Sequence, residues 1–293
     1  MSERLEEGQV DSGGLALPWS ARLPESPRAA LLFVHGLAEH RGRYAHVLAH
    51  FAGRGYAAYA FDYRGHGQSP GIRVHVDSFG EFADDVAAMQ ALVAARHPGL
   101  PLALVGHSQG GLIVLHHALR RPQGLLGIVL SSPLLGVEPA SRPGLVRRAL
   151  ARMVTPLMPR LLQRTGVNTD RLSHDPAVGP AYRADPLVSR TVSLGWYAAL
   201  HEAFDFVRTN AGALALPALF LVSPDDSLSD PEATRRFLAS APSGRAEAEW
   251  YPGLYHELFN ETEPERARVF ARVEQWLQAR LPPPARAASP ARP

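Results

Sequence analysis

A serine between two glycines, in the stretch 106–111 with the sequence GHSQGG, constrains the fold of this chain more than any other feature. The apolar run LALV at 102–105 precedes it, and the helix-like run LIVL at 112–115 follows it. Glycines two residues before and after Ser108 allow a sharp turn from a buried strand into a helix, which leaves the hydroxyl exposed above the helix N-terminus. The pattern therefore predicts a nucleophile elbow with Ser108 as the nucleophile. The alternative is a tight strand-to-helix turn without chemistry.

Strand-like and helix-like segments alternate along most of the chain. Apolar runs predict strands at 30–34, 56–61, 102–105, 126–130, 218–223 and 246–251, and amphipathic patterns predict helices at 44–52, 79–96 and 264–281. Such alternation is typical of a parallel sheet covered by helices on both faces. The polar N-terminal segment suits an antiparallel hairpin. A chain of 293 residues fits one large α/β domain with an insertion.

The alternation stops between residues 134 and 211. This region is rich in proline, has helical patterns at 145–158 and 193–206, and shows no convincing strand. We interpret it as a helical cap inserted after the sixth strand of a core formed by 1–133 and 212–281. A connector that only packs on the sheet is the alternative. The tail 282–293, rich in Ala, Arg and Pro, is expected to be disordered.

Composition narrows the classes of function. Thirty basic and 28 acidic residues leave a formal charge of only +2, so no nucleic-acid partner is expected. The lack of cysteine excludes disulfides, thiolate metal sites and cysteine lipidation. No metal or cofactor is expected, because no cluster of His, Asp and Glu has metal-ligand spacing and the glycine stretch lacks the lysine of a phosphate loop. The N-terminus has no signal-peptide pattern and no apolar run reaches membrane-spanning length, which favours a cytoplasmic location.

A serine nucleophile needs a general base and a carboxylate that fixes the tautomer of that base. In α/β hydrolases the acid and then the histidine follow the serine, each on a loop after a late strand. His256 lies on the loop after the last predicted strand, which makes it the predicted base. The preceding loop offers Asp225, Asp226 and Asp230. Spacing from the strand end favours Asp226 as the acid, with Asp225 a solvent-facing neighbour and Asp230 a turn or helix-capping residue.

The tetrahedral intermediate of acyl transfer needs preorganised N–H donors. The backbone N–H of Gln109, at the start of the helix after the elbow, is one predicted donor. Leu37, in the turn formed by His35, Gly36 and Leu37 after the first core strand, is the second. An ordinary strand end is the alternative reading of that turn.

Four segments together resemble the α/β-hydrolase family of monoacylglycerol lipases and lysophospholipases, which includes serine aminopeptidase-like proteins. They are HGLAEH at 35–40, DYRGHGQS at 62–69, GHSQGG at 106–111 and GLYH at 253–256. The resemblance covers about residues 25–280 and implies a mostly parallel eight-stranded sheet with a mobile apolar cap. Glu39 and Arg43 match polar positions of the alcohol-side pocket in that family, although a salt bridge at a helix start would also explain them. Some relatives bind the glycerol head with a second histidine shortly after the catalytic one, near the position of Phe259 here, so the resemblance makes Phe259 a possible residue of the substrate pocket.

The predicted function is a cofactor-independent serine hydrolase that cleaves carboxylic esters of lipid-like substrates through an acyl-enzyme. Another acyl hydrolase, such as an aminopeptidase, thioesterase or carbon-carbon bond hydrolase, is an alternative because fold and triad do not choose the substrate. A ligand-binding receptor on a hydrolase scaffold is another. The expected partner is a small lipid or ester. An apolar cap could also touch membranes transiently, although Arg147, Arg148 and Arg152 would equally suit a solvated face.

Overall fold

The computed structural model describes residues 3–138, 144 and 153–281. Its strands are, in chain order, β1 Glu3–Ser12, β2 Leu15–Pro24, β3 Ala29–Val34, β4 Tyr56–Phe61, β5 Leu102–His107, β6 Gly127–Ser131, β7 Leu162–Arg164, β8 Thr191–Ser193, β9 Ala218–Val222 and β10 Ala246–Trp250. In the described part of the chain, eight of them form one sheet in the order β1-β2-β4-β3-β5-β6-β9-β10. The expected hairpin β1-β2 is antiparallel, as is the pair β2-β4, and the remaining neighbours are parallel. The predicted, mostly parallel sheet is confirmed.

The helices predicted at 44–52, 79–96, 193–206 and 264–281, and the one after the elbow, lie close to their predicted positions, whereas the helices at Val178–Ala184 and Pro231–Ser240 were not predicted. The helices are α1 Ala45–Gly53, α2 Gly80–Arg96, α3 Gln109–Arg120, α4 Val178–Ala184, α5 Leu194–Thr209, α6 Pro231–Ser240 and α7 Glu265–Gln278. None of the helices in the described residues is both long and apolar enough to cross a bilayer.

The sheet buries both of its faces. Strands β3, β4, β5, β6 and β9 are buried along their whole length, because crossover helices cover a parallel sheet on both sides. Successive side chains alternate between the faces. Leu32 and Val34 belong to the core cluster that includes apolar side chains of α2 and α3, whereas Leu31 and Phe33 belong to the cluster of α1 and α7.

The region 134–211 contacts the loops that follow three core strands. The Ser189 N–H donates to the Ala38 carbonyl (2.8 Å) beyond β3, and the Glu257 N–H beyond β10 donates to the Leu172 carbonyl (2.7 Å). The third contact joins α5 to the start of α3 and is made by Trp196. The separation of this region as a cap on a core of 1–133 and 212–281 stays our interpretation of these contacts.

The prediction that this region lacks strands is wrong. Strands β7 and β8 pair antiparallel over three residues each, from Leu162 opposite Ser193 to Arg164 opposite Thr191. Three residues are too few for a period of two to stand out in the sequence, so their pairing is set by tertiary packing. The predicted helix at 193–206 is α5, whose N-cap Ser193 accepts from the Trp196 N–H. Residues 145–152 of the other predicted helix, with the three arginines among them, and the tail 282–293 lie outside the described residues.

Candidate active site

Ser108 lies at the junction of β5 and α3. Its backbone has φ 52° and ψ −118°, a conformation that costs free energy in any residue other than glycine and is concentrated at functional sites. Hydrogen bonds on both sides hold it there: the Ser108 N–H donates to the Ser131 carbonyl (2.9 Å), and the Leu134 N–H donates to the Ser108 carbonyl (2.9 Å). The turn brings Ser108 to the wall of a cavity that residues of the core and of the region 134–211 line together.

The glycines of the elbow are required by the close crossing of strand and helix. A β-carbon at Gly106 would lie 2.4 Å from the carbonyl oxygen of Gly110, and one at Gly110 would lie 2.1 Å from the carbonyl oxygen of Val34. Both distances are far shorter than any carbon–oxygen contact in a folded protein. The motif that the sequence displays is therefore a steric condition for packing α3 directly on the sheet.

The predicted base and acid meet beside this turn. The Nδ1 of His256 lies 2.7 Å from Oδ2 of Asp226. The other carboxylate oxygen of Asp226 accepts from the N–H groups of Leu228 (2.8 Å) and Ser229 (3.1 Å), which fixes the orientation of the carboxylate. Because an ionised carboxylate can only accept, Nδ1 carries the ring proton and Nε2 is the basic nitrogen. His256 and Ser108 line the same cavity.

The charges of this pair are set by burial and by each other. Burial disfavours the imidazolium, but the Asp226 carboxylate outweighs it, so the pKa of His256 is raised from 6.5. Burial also disfavours the Asp226 carboxylate, but His256 and the two N–H donors outweigh it and lower the pKa of Asp226. The neighbouring His107 has its pKa lowered to about 4 by burial and by His256, whose ring lies 4.8 Å away. At neutral pH His107 is therefore uncharged, and His256 is the imidazole poised to take a proton.

The two other aspartates of the acid loop are engaged elsewhere. Asp225 is exposed, and its carboxylate accepts from the Gly253 N–H (2.7 Å) at the start of the base loop. Asp230 is the N-cap of α6 and accepts from the Glu232 N–H (3.0 Å). These contacts agree with the neighbour and capping roles expected for them.

Leu37 lines the cavity and Gln109 directly follows Ser108 in the chain. Neither backbone N–H donates to an acceptor within the described residues. The carbonyl of Gly36, in the same peptide unit as the Leu37 N–H, is held by the Tyr63 hydroxyl at 2.7 Å and by the His35 ring at 2.9 Å. A trans peptide points its C=O and N–H in opposite directions, so this anchor also fixes the Leu37 N–H. Their predicted role as oxyanion donors stays a prediction.

Ser108, His256 and Leu37 line a cavity of about 450 Å³. Its polar wall includes Glu39 and Glu257. Its apolar lining combines side chains from the region 134–211 with side chains from the rest of the chain, namely Leu37, Leu134, Val137, Val167, Leu172, Val192, Trp196, Leu200 and Leu228. A volume of this size is typical of a site for a small molecule.

A buried cluster of charge forms the polar wall. The guanidinium of Arg43 contacts Glu39 and both carboxylate oxygens of Glu257, at 2.8 and 2.7 Å. Burial opposes ionisation of Glu39, but Arg43 and then His107 prevail and lower the pKa of Glu39 to about 2. Glu39 thus lines the cavity, as the resemblance implies, and also forms the salt bridge that was the alternative interpretation of this position. Arg43 is not among the residues that line the cavity and pairs with the two carboxylates.

The prediction of Phe259 as a pocket residue is wrong. Its side chain is buried in the core on the α7 side of the sheet, where its ring lies 5.9 Å from that of Phe270. A short 3-10 helix at Leu258–Asn260 turns it inward. The polar position beside the base belongs instead to Glu257, which the sequence analysis missed. Among the described residues, no group of three or more His, Asp or Glu side chains is placed to hold a metal ion.

Comparison with known proteins identifies the family. Residues 25–263 match the family model described as serine aminopeptidase, S33. The chain belongs to this family. This S33 chain is 35% identical to a monoacylglycerol lipase of Mycolicibacterium smegmatis over 282 residues, which cover 96% of this chain and 99% of that protein. It is also 33% identical to the phospholipase YtpA of Bacillus subtilis, over 86% of this chain and 95% of that protein.

Solved structures of relatives share the fold. The crystal structure of a monoacylglycerol lipase from Paleococcus ferrophilus has a TM-score of 0.79 and 29% identity, and covers 96% of this S33 chain and 100% of that chain. A soluble variant of the monoglyceride lipase of Saccharomyces cerevisiae has a TM-score of 0.83 at 23% identity, covers 97% of each chain and supports the fold alone. The predicted family and α/β-hydrolase fold are confirmed, and the chain is a lipase-type hydrolase.

Proposed function

We propose that this chain is a serine ester hydrolase that cleaves the acyl ester of a monoacylglycerol or a closely related neutral lipid. The observation that carries the proposal is the cavity itself, which Ser108 and His256 line together with many apolar side chains and two carboxylates. An acyl chain fits the apolar wall, and a head group rich in hydroxyls fits the carboxylates. The relatives named above support the same class of substrate.

In the proposed mechanism the Ser108 hydroxyl transfers its proton to Nε2 of His256 and attacks the ester carbonyl. Asp226 stabilises the imidazolium that forms. The N–H groups of Leu37 and Gln109 receive the developing oxyanion. His256 then protonates the leaving alcohol, and a water molecule activated by the same imidazole hydrolyses the acyl-enzyme to release the fatty acid. Loss of one oxyanion donor or one triad member is expected to cost about 100-fold or more in turnover.

The charge of the polar wall favours a neutral head group. Glu39 and Glu257 share the single guanidinium of Arg43, so this part of the cavity lining carries net negative charge. The exposed Arg164 adds one cation to the lining of the same cavity. The hydroxyls of a glycerol can donate hydrogen bonds to carboxylate oxygens. A phosphate head group would instead be repelled by this wall. We therefore infer a preference for monoacylglycerols over lysophospholipids.

The same wall also suits the cation of an amino-acid substrate, so an aminopeptidase is the second candidate. A peptide N-terminal ammonium would pair with Glu39 or Glu257. The many apolar side chains of the cavity lining favour an acyl chain over a polar peptide, so we rank the lipid ester first.

The test compares substrates of matched acyl length. One sample of purified wild type is incubated with a fluorophosphonate probe, and a separate untreated sample is assayed on monoacylglycerols, anionic lysophosphatidylglycerols, nitrophenyl esters and aminoacyl nitroanilides. We expect labelling at Ser108 and a kcat/KM at least about tenfold higher for monoacylglycerols than for lysophosphatidylglycerols, since one unfavourable charge contact corresponds to about 1.4 kcal/mol or more. Ser108→Ala should abolish labelling and turnover, whereas Ser240→Ala, at the end of α6, should leave both unchanged. Labelling of Ser108→Ala, or faster turnover of the nitroanilides, would reject the proposal.

An exposed apolar patch on the cap supports the predicted contact with lipid surfaces. It consists of side chains that are 46–83% exposed, namely Met153, Leu157, Met158, Leu161 and Leu162. Contiguous exposed apolar surface is uncommon on soluble proteins and often marks a contact site. We propose that this patch touches the lipid phase that holds the substrate. Leu157→Ser should weaken co-sedimentation with phosphatidylcholine vesicles while leaving hydrolysis of a water-soluble ester unchanged; equal co-sedimentation of both proteins would exclude the contact.

A further inference from the structure

Three buried hydrogen bonds connect the cap to the turn that holds the Leu37 N–H. The indole N–H of Trp196, in the first turn of α5, donates to Oε1 of Gln109 (2.8 Å). The Gln109 side-chain amide donates to the Tyr63 hydroxyl (3.1 Å), and that hydroxyl donates to the carbonyl oxygen of Gly36 (2.7 Å). One cap side chain is thus joined through two core side chains to the peptide unit of the predicted oxyanion donor.

The chemistry of the two ends fixes the direction of these bonds. An indole N–H only donates and a peptide carbonyl only accepts. The Gln109 amide therefore turns its oxygen to Trp196 and its nitrogen to Tyr63, and the Tyr63 hydrogen points to Gly36. The Tyr63 and Gln109 side chains are fully buried and Trp196 is 5% exposed, so water does not replace a lost partner. Each broken link leaves a buried polar group unpaired, which costs more than the bond itself contributes.

The Gly36–Leu37 peptide needs such an anchor. Glycine rotates more freely than any other residue, so its own backbone does little to hold the peptide plane. The second anchor of the Gly36 carbonyl, the His35 ring, stacks on Tyr63 with a centroid distance of 4.2 Å. A displacement of Tyr63 would therefore disturb both anchors together.

The cap also forms hydrogen bonds with the part of this turn that follows Leu37. The Ser189 N–H donates to the carbonyl of Ala38 (2.8 Å), whose φ is 63°. Nε2 of His40 lies 2.8 Å from the Asp185 carboxylate. The turn after β3 is therefore attached to the cap on both sides of Leu37, and Trp196 also lines the cavity.

We propose that Trp196, Gln109 and Tyr63 act as positioning residues that make the oxyanion donor depend on the seating of the cap. With α5 seated, the three bonds hold the Gly36 carbonyl and so aim the Leu37 N–H at the reacting oxygen. With α5 displaced, Gln109 loses Trp196, the partner that orients its amide. The Gln109 amide then no longer donates to the Tyr63 hydroxyl, and the Gly36–Leu37 peptide is free to rotate. This inference rests on the serine mechanism proposed above and adds a route by which an occupant of the cavity, through Trp196, affects the chemical step.

The test uses Tyr63→Phe, Trp196→Phe and the double variant in hydrolysis of a short-chain nitrophenyl ester. The hydrogen bonds from Trp196 through Gln109 and Tyr63 to Gly36, called the relay below, act on the transition state. Tyr63→Phe should therefore lower kcat about 10- to 100-fold, close to the effect of losing one oxyanion donor, with KM changed less than about threefold. Trp196→Phe should lower kcat less. The double variant should be no slower than Tyr63→Phe, since both changes interrupt one chain of bonds. The affinity of a trifluoromethyl ketone, whose bound adduct carries the oxyanion, should fall by the same factor as kcat.

The matched control is Tyr59→Phe. Tyr59 is also a buried tyrosine with a hydrogen-bonded hydroxyl, 2.7 Å from His97, but it lies on β4 away from the turn. It should retain kcat and inhibitor affinity. If Tyr63→Phe does not fold, Trp196→Phe changes only a cap side chain and carries the same test on kcat and on the inhibitor. Unchanged kcat in both variants, losses that multiply in the double variant, or losses confined to KM overturn the relay, whereas a wild type without esterase activity overturns the proposed function instead.

Discussion

Replacing Arg43 by methionine should expose the cost of the buried charge cluster. Methionine keeps most of the side-chain length but removes the guanidinium that Glu39 and Glu257 share. In wild type the pKa of Glu39 lies at about 2 instead of 4.5, because Arg43 and His107 outweigh burial. Each pH unit of displacement corresponds to about 1.4 kcal/mol, so the surroundings of Glu39, with Arg43 as the largest favourable contribution, stabilise its ionised form by about 3 kcal/mol net of burial. This agrees with the roughly 3–5 kcal/mol lost when a buried pair is broken by removing one partner.

The contribution of Glu39 to the free energy of unfolding should depend on pH in opposite directions in wild type and in Arg43→Met. In wild type the stabilisation by Glu39 is present above pH 4.5 and is lost as the pH falls toward about 2. Without Arg43, burial and the Glu257 carboxylate raise the pKa of Glu39, so the variant loses stability as the pH rises through that raised value. The difference in free energy of unfolding between the two proteins should therefore be largest near neutral pH and smaller under acidic conditions.

Urea unfolding at about pH 8 and about pH 5 measures this difference. Adding Glu39→Gln to Arg43→Met should recover part of the loss at the higher pH. The control is Arg208→Met, which breaks an exposed pair with Asp205 and should cost less than about 1 kcal/mol. A loss below about 1 kcal/mol for Arg43→Met at the higher pH, or an equal loss at both pH values, would refute the reasoning.

Three further predictions concern the reacting groups and the elbow. kcat/KM should rise with pH through a midpoint above 6.5, because the pKa of His256 is raised and only the neutral imidazole accepts the serine proton. Asp226→Asn should cut turnover about 10⁴-fold and lower that midpoint. A midpoint that does not move in the pH–rate profile of this variant would contradict the pairing of Asp226 with His256. Asp225→Asn, which keeps an acceptor for the Gly253 N–H, should retain turnover in the same assay, and its loss would move the acid role away from Asp226. Gly110→Ala should destabilise the fold by about 3 kcal/mol or more, because its β-carbon would lie 2.1 Å from a backbone oxygen, whereas Gly53→Ala, with open space around it, should be neutral or stabilising in thermal unfolding.

The elbow and the order of acid and base could be predicted because their signals are local. The glycines at 106 and 110 answer a steric demand between neighbouring backbones. The loops that carry Asp226 and His256 each follow a strand that stands out as an apolar or alternating run. Parallel strands bring the loops at their carboxyl ends to one edge of the sheet, so the meeting of these residues follows from topology.

The pocket could not be predicted in the same way because side-chain direction within a loop depends on its local geometry. Glu257 and Phe259 are two residues apart, yet the first lines the cavity and the second packs under it against Phe270. The direction of the Gln109 side chain is likewise decided by its partners Tyr63 and Trp196, which are distant in sequence. Such contacts exist only once the cap and the core are assembled.

The hydrogen bond from the Gly253 N–H to the Asp225 carboxylate joins the acid loop to the base loop. A second bond, from the Ser223 hydroxyl to the Leu254 carbonyl (2.5 Å), joins them again. These two bonds make the acid loop and the base loop one structural unit. An insertion in either loop would be transmitted to the other and would change the spacing of Asp226 and His256, so a loop transplanted from a relative should work only when its partner loop is transplanted with it.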